Sequence, residues 1–558
     1  MNYTSEFFVD SVAAASNFIQ TAVIIDDKLF EKFAGEPPKK LKETKSRKHV
    51  IRRKDDGIQK IKSDEISDDP HNVDTQDLIR AFAKKSIVCA AYQPKHRDFS
   101  TGSTGDFRKL CKNADIVIVD WSMFADNGQR AKKLIAGIVT ENLRDTPEQL
   151  RLIIAYTGEP NLFNIENQIF THLQSIDQEL PSPEKEENLA VRFGSSRIIV
   201  LGKKNGRGRL EKYQSHEVTE VELAERAIQE YAIMTCGLMS NVALRSVAAL
   251  RSNTRKIISN FSPKLDAAFL THRVLSLPDE NAESHLLEMM SSEFYAVIED
   301  SFQTDLVSKK AVVQWLDHKK EILSKGLEEF GQYPKESQPH DDLKQLCVEG
   351  ADFFCDSNNH PFQVLKKINA KGFESRNKLS KVLSGKTEYV GDYQLACSMA
   401  LRTFYSNKAR TLTLGTLLQT KSENGKNYWV CVQPRCDSVR LDDDTRFPFL
   451  RCDIVAEEDY RSKRSVVLFE NGHPICLKID CKPNRIKMLT FKPDSSKRIV
   501  SKPDLEKKRF VFKALNGMEF YWRGELKFEH AQRIAQELSG QLSRVGLAES
   551  EWLLRYKK

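Results

Sequence analysis

Short, unbroken apolar runs alternate with longer stretches of helical spacing through the first two fifths of the chain. The runs at 21–27 (TAVIIDD), 86–92 (SIVCAAY), 114–120 (ADIVIVD), 151–157 (RLIIAYT) and 197–201 (RIIVL) are continuous rather than alternating. Such runs mark strands buried on both faces. Between them, 74–85, 107–113, 127–143, 161–174 and 217–239 read as helices, with Leu78, Ile79, Ala81 and Phe82 on one face of the first and Leu134, Ile135, Ile138 and Val139 on one side of the third. Strand–helix alternation predicts βαβ units. The fold expected is α/β, a doubly wound five-stranded parallel sheet whose ligand crevice lies at the carboxyl ends of its strands. Two segments interrupt it. Residues 35–73 hold almost no apolar clusters and run basic from Lys39 to Lys54, then acidic from Asp64 to Asp69, as a solvated loop does. Residues 175–196, with Pro181, Pro183 and several glutamates, read as a surface loop.

The spacing then becomes helical over 241–261, 265–275, 282–301, 309–330, 341–354 and 393–405, punctuated by turn signals such as Ser262-Pro263. From about 410 it changes again. Strands are predicted at 412–418, 428–432, 465–469, 475–479, 509–512 and 518–522, with a closing helix over 528–542. Three domains follow: a first over 1–240 that carries the charged insertion 35–73, a helical domain over 241–407, and a mostly β domain over 408–558 with its terminal helix.

Composition narrows the classes. At 558 residues with 40% hydrophobic and 29% charged positions, the chain is neither collagen, nor one long coiled coil, nor mostly disordered. No apolar run is long enough to span a bilayer. The opening residues carry Glu6 and Asp10 rather than a basic start, so a cytoplasmic location is expected, with no membrane partner. Eleven cysteines without a CxxC pair fit reduced thiols. Among them Cys431, Cys436, Cys452, Cys476 and Cys481, near His473, match no tetrahedral zinc spacing. Net charge is +8, from 86 basic and 78 acidic residues, which does not demand nucleic acid. A fragment at 531–538 (AQRIAQEL) is reminiscent of helix-turn-helix proteins but has no recognition helix or basic density beside it. The acidic Asp442–Asp444 after the 428–432 strand reads as a solvated turn. GxxxxGK[ST], GxSxG and HExxH are all absent, which disfavours a P-loop NTPase, an α/β-hydrolase and a zincin.

The chemistry sits at the strand ends. Asp26 and Asp27 end the first apolar run, Asp120 the third and Thr157 the fourth, while the last runs into Lys203 and Lys204. In a doubly wound sheet these ends converge. Three carboxylates in one crevice raise each other's pKa unless a cation compensates, and hard oxygen ligands with room for water suit Mg²⁺. A lysine and a hydroxyl opposite suit phosphoryl oxygens, and an aspartate can itself be the nucleophile.

This constellation, with the DWSMFADNG loop over 120–128, resembles the receiver domain of two-component response regulators, a flavodoxin-like fold. The resemblance covers roughly residues 16–235. It implies that Asp120 is the 4-aspartylphosphate acceptor. It further implies that Mg²⁺ is held by Asp26, Asp27, Asp120 and the backbone carbonyl of Ser122, that Thr157 bonds the phosphoryl group, and that Lys203 or Lys204 pairs with Asp120. Three departures stand out: a long loop after Asp27, Lys204 where a proline commonly follows the lysine, and Val200 or Leu201 where an aromatic residue is common. The charged insertion and long extension resemble the receiver component of Detocs, an antiphage two-component-like system. That likeness implies a partner sensor histidine kinase, a second receiver–effector protein, and a phosphate sink or signalling adaptor that is no enzyme beyond self-dephosphorylation. The competing expectations are a DNA-binding transcriptional response regulator and an effector enzyme acting through residues 410–558.

Overall fold

The structure is a computed structural model. It describes residues 4–29, 74–99, 106–145, 149–176, 180–204, 208–276, 279–301, 307–330, 338–350, 373–387, 390–422, 425–456, 465–470, 472–504 and 509–543. The charged insertion at 35–73 lies outside the described residues, as does the end of the chain beyond 543. The chain divides into two compact units, 1–319 and 320–558.

The first unit opens with α1 (Glu6–Phe18), which the apolar spacing did not single out; the Ser5 side chain caps it by accepting from the Phe8 N–H. Then come β1 (Thr21–Ile25), α2 (Thr75–Lys84), β2 (Val88–Tyr92), α3 (Asp106–Asn113), β3 (Ile116–Asp120), α4 (Gln129–Asp145), β4 (Arg151–Thr157) and α5 (Leu162–Gln174). After them follow β5 (Glu184–Glu186), β6 (Ala190–Phe193), β7 (Ser196–Lys203), β8 (Glu217–Val218) and α6 (Leu223–Thr235). Strand order is β2-β1-β3-β4-β7-β6-β5, with β8 paired to the end of β7. The run β2-β1-β3-β4-β7 is parallel throughout. Successive side chains of these strands feed opposite cores. Ile24, Ile118, Ile154 and Leu201 pack with Phe8, Phe82 and Tyr231 from α1, α2 and α6. Val23, Val117, Ile153 and Val200 pack with Cys111, Leu134 and Ile165 from α3, α4 and α5. That is the doubly wound α/β domain the apolar runs predict.

The expected loop at 175–196 is a correction. Its β5 and β6 form an antiparallel hairpin on β7, which with β8 brings the described sheet to eight strands around the expected five parallel ones. Ala190, Val191 and Phe193 are buried, whereas β5 is Glu-Lys-Glu and joins the sheet through its ladder and through ion pairs. Glu186 pairs with Arg192 and, at 2.7 Å, with Arg197; Arg197 in turn pairs with the buried Glu230 of α6.

The helix α7 (Leu238–Asn260) spans residue 240 and packs on α1, with Asn241, Leu244, Ala248 and Ile257 buried. Its Arg251 donates to the Phe18 carbonyl at 2.7 Å and pairs with Asp115 at 3.2 Å. Next come α8 (Asp266–Ser276), α9 (Asp279–Ser301) and α10 (Lys309–His318). The last packs on α1, where the Ser5 hydroxyl lies 2.7 Å from His318 Nδ1. The single helix expected over 309–330 is two helices, because the chain leaves helical geometry at Lys319 before α11 (Lys320–Phe330).

In the second unit, α11, α12 (Pro339–Glu349) and two further helices, Phe373–Ser384 and Gly391–Ala400, precede a nine-stranded antiparallel sheet. The six strands expected there are present. The reading missed Thr445–Ile454, Ile486–Phe491 and Lys502–Asp504, and the helix Phe373–Ser384. The longest of these strands contains Pro448, which cannot donate to a ladder and so disguises the strand. The closing helix Phe528–Leu542 buries Ala531, Ile534 and Leu538 in the core of this unit, so packing accounts for the apolar positions of the AQRIAQEL fragment.

Candidate functional site

The parallel register brings the strand ends level. Ile25 pairs with Val119, Asp120 with Tyr156, and Thr157 with Gly202. Asp26 and Asp27 leave β1 beside Asp120, and one carboxylate oxygen from each of the three lies within 4.8 Å of the others. Among the described residues this is the one group of His, Cys, Asp or Glu placed to share an ion. Asp26, Asp120, Thr157 and Lys203 are buried and Asp27 is half-buried. Lys203 Nζ donates to Asp120 Oδ1 at 2.7 Å and lies 3.6 Å from Asp26 Oδ2. Lys204 is exposed, so of the two candidate lysines the structure brings Lys203 to the carboxylates.

Burial, followed by the neighbouring Asp120 charge, pushes the Asp26 carboxyl up to about 6, against the pull of Lys203 and the Lys28 N–H. Burial also raises Asp120, and Asp27 adds to it, although Lys203 and the Ser122 amide pull the other way. For Lys203 burial acts to lower the pKa, but Asp120 and Asp26 outweigh it and hold the ammonium above its ordinary value. With all three acids ionised, one ammonium leaves two negative charges uncompensated (3 − 1). Oxygen donors with that excess charge fit a divalent cation such as Mg²⁺.

The loop after β3 is held from several sides. Trp121 and Met123 are buried. Phe124 (φ 54°), Ala125 and Asn127 take left-handed conformations, which are costly for residues with a Cβ. The Phe124 N–H donates to Asp27 Oδ2 at 2.7 Å, which ties that turn to β1. Gly128 (φ 79°) lies against Trp121, where a Cβ would come within 2.2 Å of the indole ring. Ser122 begins this loop, and its hydroxyl donates to Glu159 Oε1 at 3.1 Å. The Glu159 N–H donates to the Thr157 hydroxyl at 3.0 Å, so a Ser122–Glu159–Thr157 chain of bonds ties the loop after β3 to the end of β4.

Of the strand-end residues singled out in the sequence, Asp26, Asp27, Asp120 and Lys203 cluster and Thr157 ends the strand between Asp120 and Lys203, whereas Lys204 is exposed. Glu159 and Arg209 were missed. Arg209 follows the charged, glycine-containing stretch 203–208 (KKNGRG), and its guanidinium donates to the Lys203, Thr157 and Glu159 carbonyls. No sequence signal marks that return of the chain. Val200 and Leu201 are both buried in β7, on opposite faces of the sheet.

Residues 18–208 match the family model described as a response receiver domain. No curated protein and no solved structure matches the chain. The match runs from the end of α1 past β7 and contains Asp26, Asp27, Asp120, Ser122, Thr157 and Lys203. The chain therefore carries a response-regulator receiver domain. Among the described residues no helix is long and apolar enough to cross a membrane.

Proposed function

We propose that the receiver domain accepts a phosphoryl group on Asp120 from the phosphohistidine of a partner sensor kinase. The observation that carries this reading is the buried Asp120 carboxylate at the end of β3, bonded to Lys203 and clustered with Asp26 and Asp27, which follow β1. An Asp120 oxygen attacks phosphorus, the P–N bond to the donor imidazole breaks, and an acyl phosphate remains on the carboxyl. The Lys203 ammonium offsets charge on the transferred group. The Thr157 hydroxyl, which now accepts from Glu159, has its proton available for a phosphoryl oxygen. Asp26, Asp27, Asp120 and the Ser122 carbonyl would hold Mg²⁺. When bound, the ion supplies the positive charge that three clustered carboxylates and an incoming phosphoryl group require.

Within this reading the protein is a phosphate sink or signalling adaptor of an antiphage two-component-like system, and shares its kinase with a receiver–effector protein. The support is the sequence's resemblance to the receiver component of Detocs and the lack of a recognised catalytic motif in residues 241–558. The decisive experiment labels the full chain with a small acyl-phosphate donor and with the kinase, beside Asp120→Ala and an EDTA control. A phosphoprotein band that needs both Asp120 and Mg²⁺ is expected; no band with either donor overturns the acceptor role. In cells that also hold the kinase and the receiver–effector protein, Asp120→Ala should slow growth without phage if the protein is a sink and abolish protection if it is an adaptor; growth and plaque counts both unchanged would remove the defence role.

A further inference from the structure

We infer that Arg209 is a positioning residue, which holds the Thr157 hydroxyl and the Lys203 ammonium in register for phosphoryl acceptance; this rests on Asp120 being the acceptor. β4 and β7 are adjacent parallel strands that end at the crevice. Arg209 braces the backbone there from outside both strands, with a side chain only 2% exposed. Its Nη1 donates to the Lys203 carbonyl at 2.7 Å and to Glu217 Oε1 at 2.9 Å. Its Nη2 donates to the carbonyls of Thr157 at 3.1 Å and Glu159 at 3.0 Å. One rigid planar group thus fixes the two residues that would contact the phosphoryl group, together with the loop that carries Glu159. Glu217 pairs with its charge, so Arg209 acts by placing backbone rather than by adding positive field.

A second position supports the same arrangement. Gly202, paired with Thr157 across the ladder, leaves the room the guanidinium occupies: a Cβ there would lie 2.5 Å from Arg209 Nη1. Lysine at 209 would bring the charge but not the two-pronged geometry. Reacting groups displaced by about 1 Å lose on the order of a hundredfold in rate. Arg209 should therefore matter to transfer while leaving the ion-holding side of the crevice, on β1 and β3, in place.

The test uses the full chain as wild type, Arg209→Gln, Arg209→Lys and Gly202→Ala. Mg²⁺ affinity is read from the fluorescence of the buried Trp121, beside Asp120, and transfer from the labelling rate with a small acyl-phosphate donor. The expected result is a labelling rate at least about tenfold lower in all three variants, with Mg²⁺ midpoints within about twofold of wild type. Should Arg209→Gln fail to fold, Arg209→Lys and Gly202→Ala carry the comparison. Wild-type labelling rates in the folded Arg209 variants would overturn the inference, as would Mg²⁺ affinity and rate falling together, which marks general collapse of the crevice. A wild type that takes no label would instead overturn the acceptor role of Asp120, and this inference with it.

Discussion

Asp26 shows what converging three strand ends costs a protein. Its carboxyl ordinarily titrates near 3.8, and burial with Asp120 alongside moves it to about 6. Between those values Asp26 binds more protons in the folded state than in the unfolded chain, so without divalent ions its own contribution to stability falls as pH rises from about 4 through 6. Thermal melts in EDTA of wild type beside Asp26→Asn check this; an advantage of the variant that does not grow across the window would contradict it. Asp26→Asn removes one of the repelling charges and should raise the melting temperature near pH 7.5 in EDTA, while losing the further rise that Mg²⁺ gives the wild type. The thiols make a separate prediction. Burial pushes Cys89, Cys111 and Cys431 up to about 12, whereas Cys436 is exposed, so a disulfide reagent at pH 8 should label Cys436 well ahead of these three. Peptide mapping of the order in which these four are labelled decides it. The strand-end residues were legible because each closes an apolar run, where the crevice of a doubly wound sheet must lie. Arg209 and Glu159 were not, because their partners are backbone carbonyls and a hydroxyl reached only through the fold.

Among the elements, those with continuous apolar character were legible and those held by pairing were not. Strands β1, β3, β4 and β7 are almost wholly buried and announce themselves. The β5–β6 hairpin does not, since its outer strand has no apolar residue and the link to α6 runs through charges. Arg197 and Glu230 are each 2% exposed, which makes their pair sensitive to losing one member. Glu230→Ala takes one of its two carboxylates from the guanidinium, which keeps Glu186, and should cost about 1.5–3 kcal/mol of unfolding free energy. Arg197→Met with Glu230→Leu, which buries neither charge, should recover most of that loss. Urea unfolding of the two variants measures both effects, and a loss under about 1 kcal/mol for the single variant would mean that the pair is dispensable.

For the molecule as a whole, the sequence supports three segments by composition, whereas packing divides the chain at 319. Helical spacing alone could not say which helices belong to the sheet domain. Leu244 and Ala248 of α7 are buried, Arg251 reaches Asp115 beside β3, and His318 reaches Ser5 at the start of α1. A fragment 1–319 should therefore melt cooperatively, whereas 1–240 should melt at a lower temperature and bind a hydrophobic dye. Equal melting of the two fragments would show that the helices after 240 contribute nothing to the receiver. The hairpin has a consequence at this level too. A strand at the rim of a sheet offers unpaired amides and carbonyls to whatever chain arrives, yet at β7 that row is already taken up by β6, and beyond it stand three residues of alternating charge. A foreign strand docking there would gain three residues of ladder and no apolar surface. On that side the sheet therefore offers little to hold a further copy as an added strand.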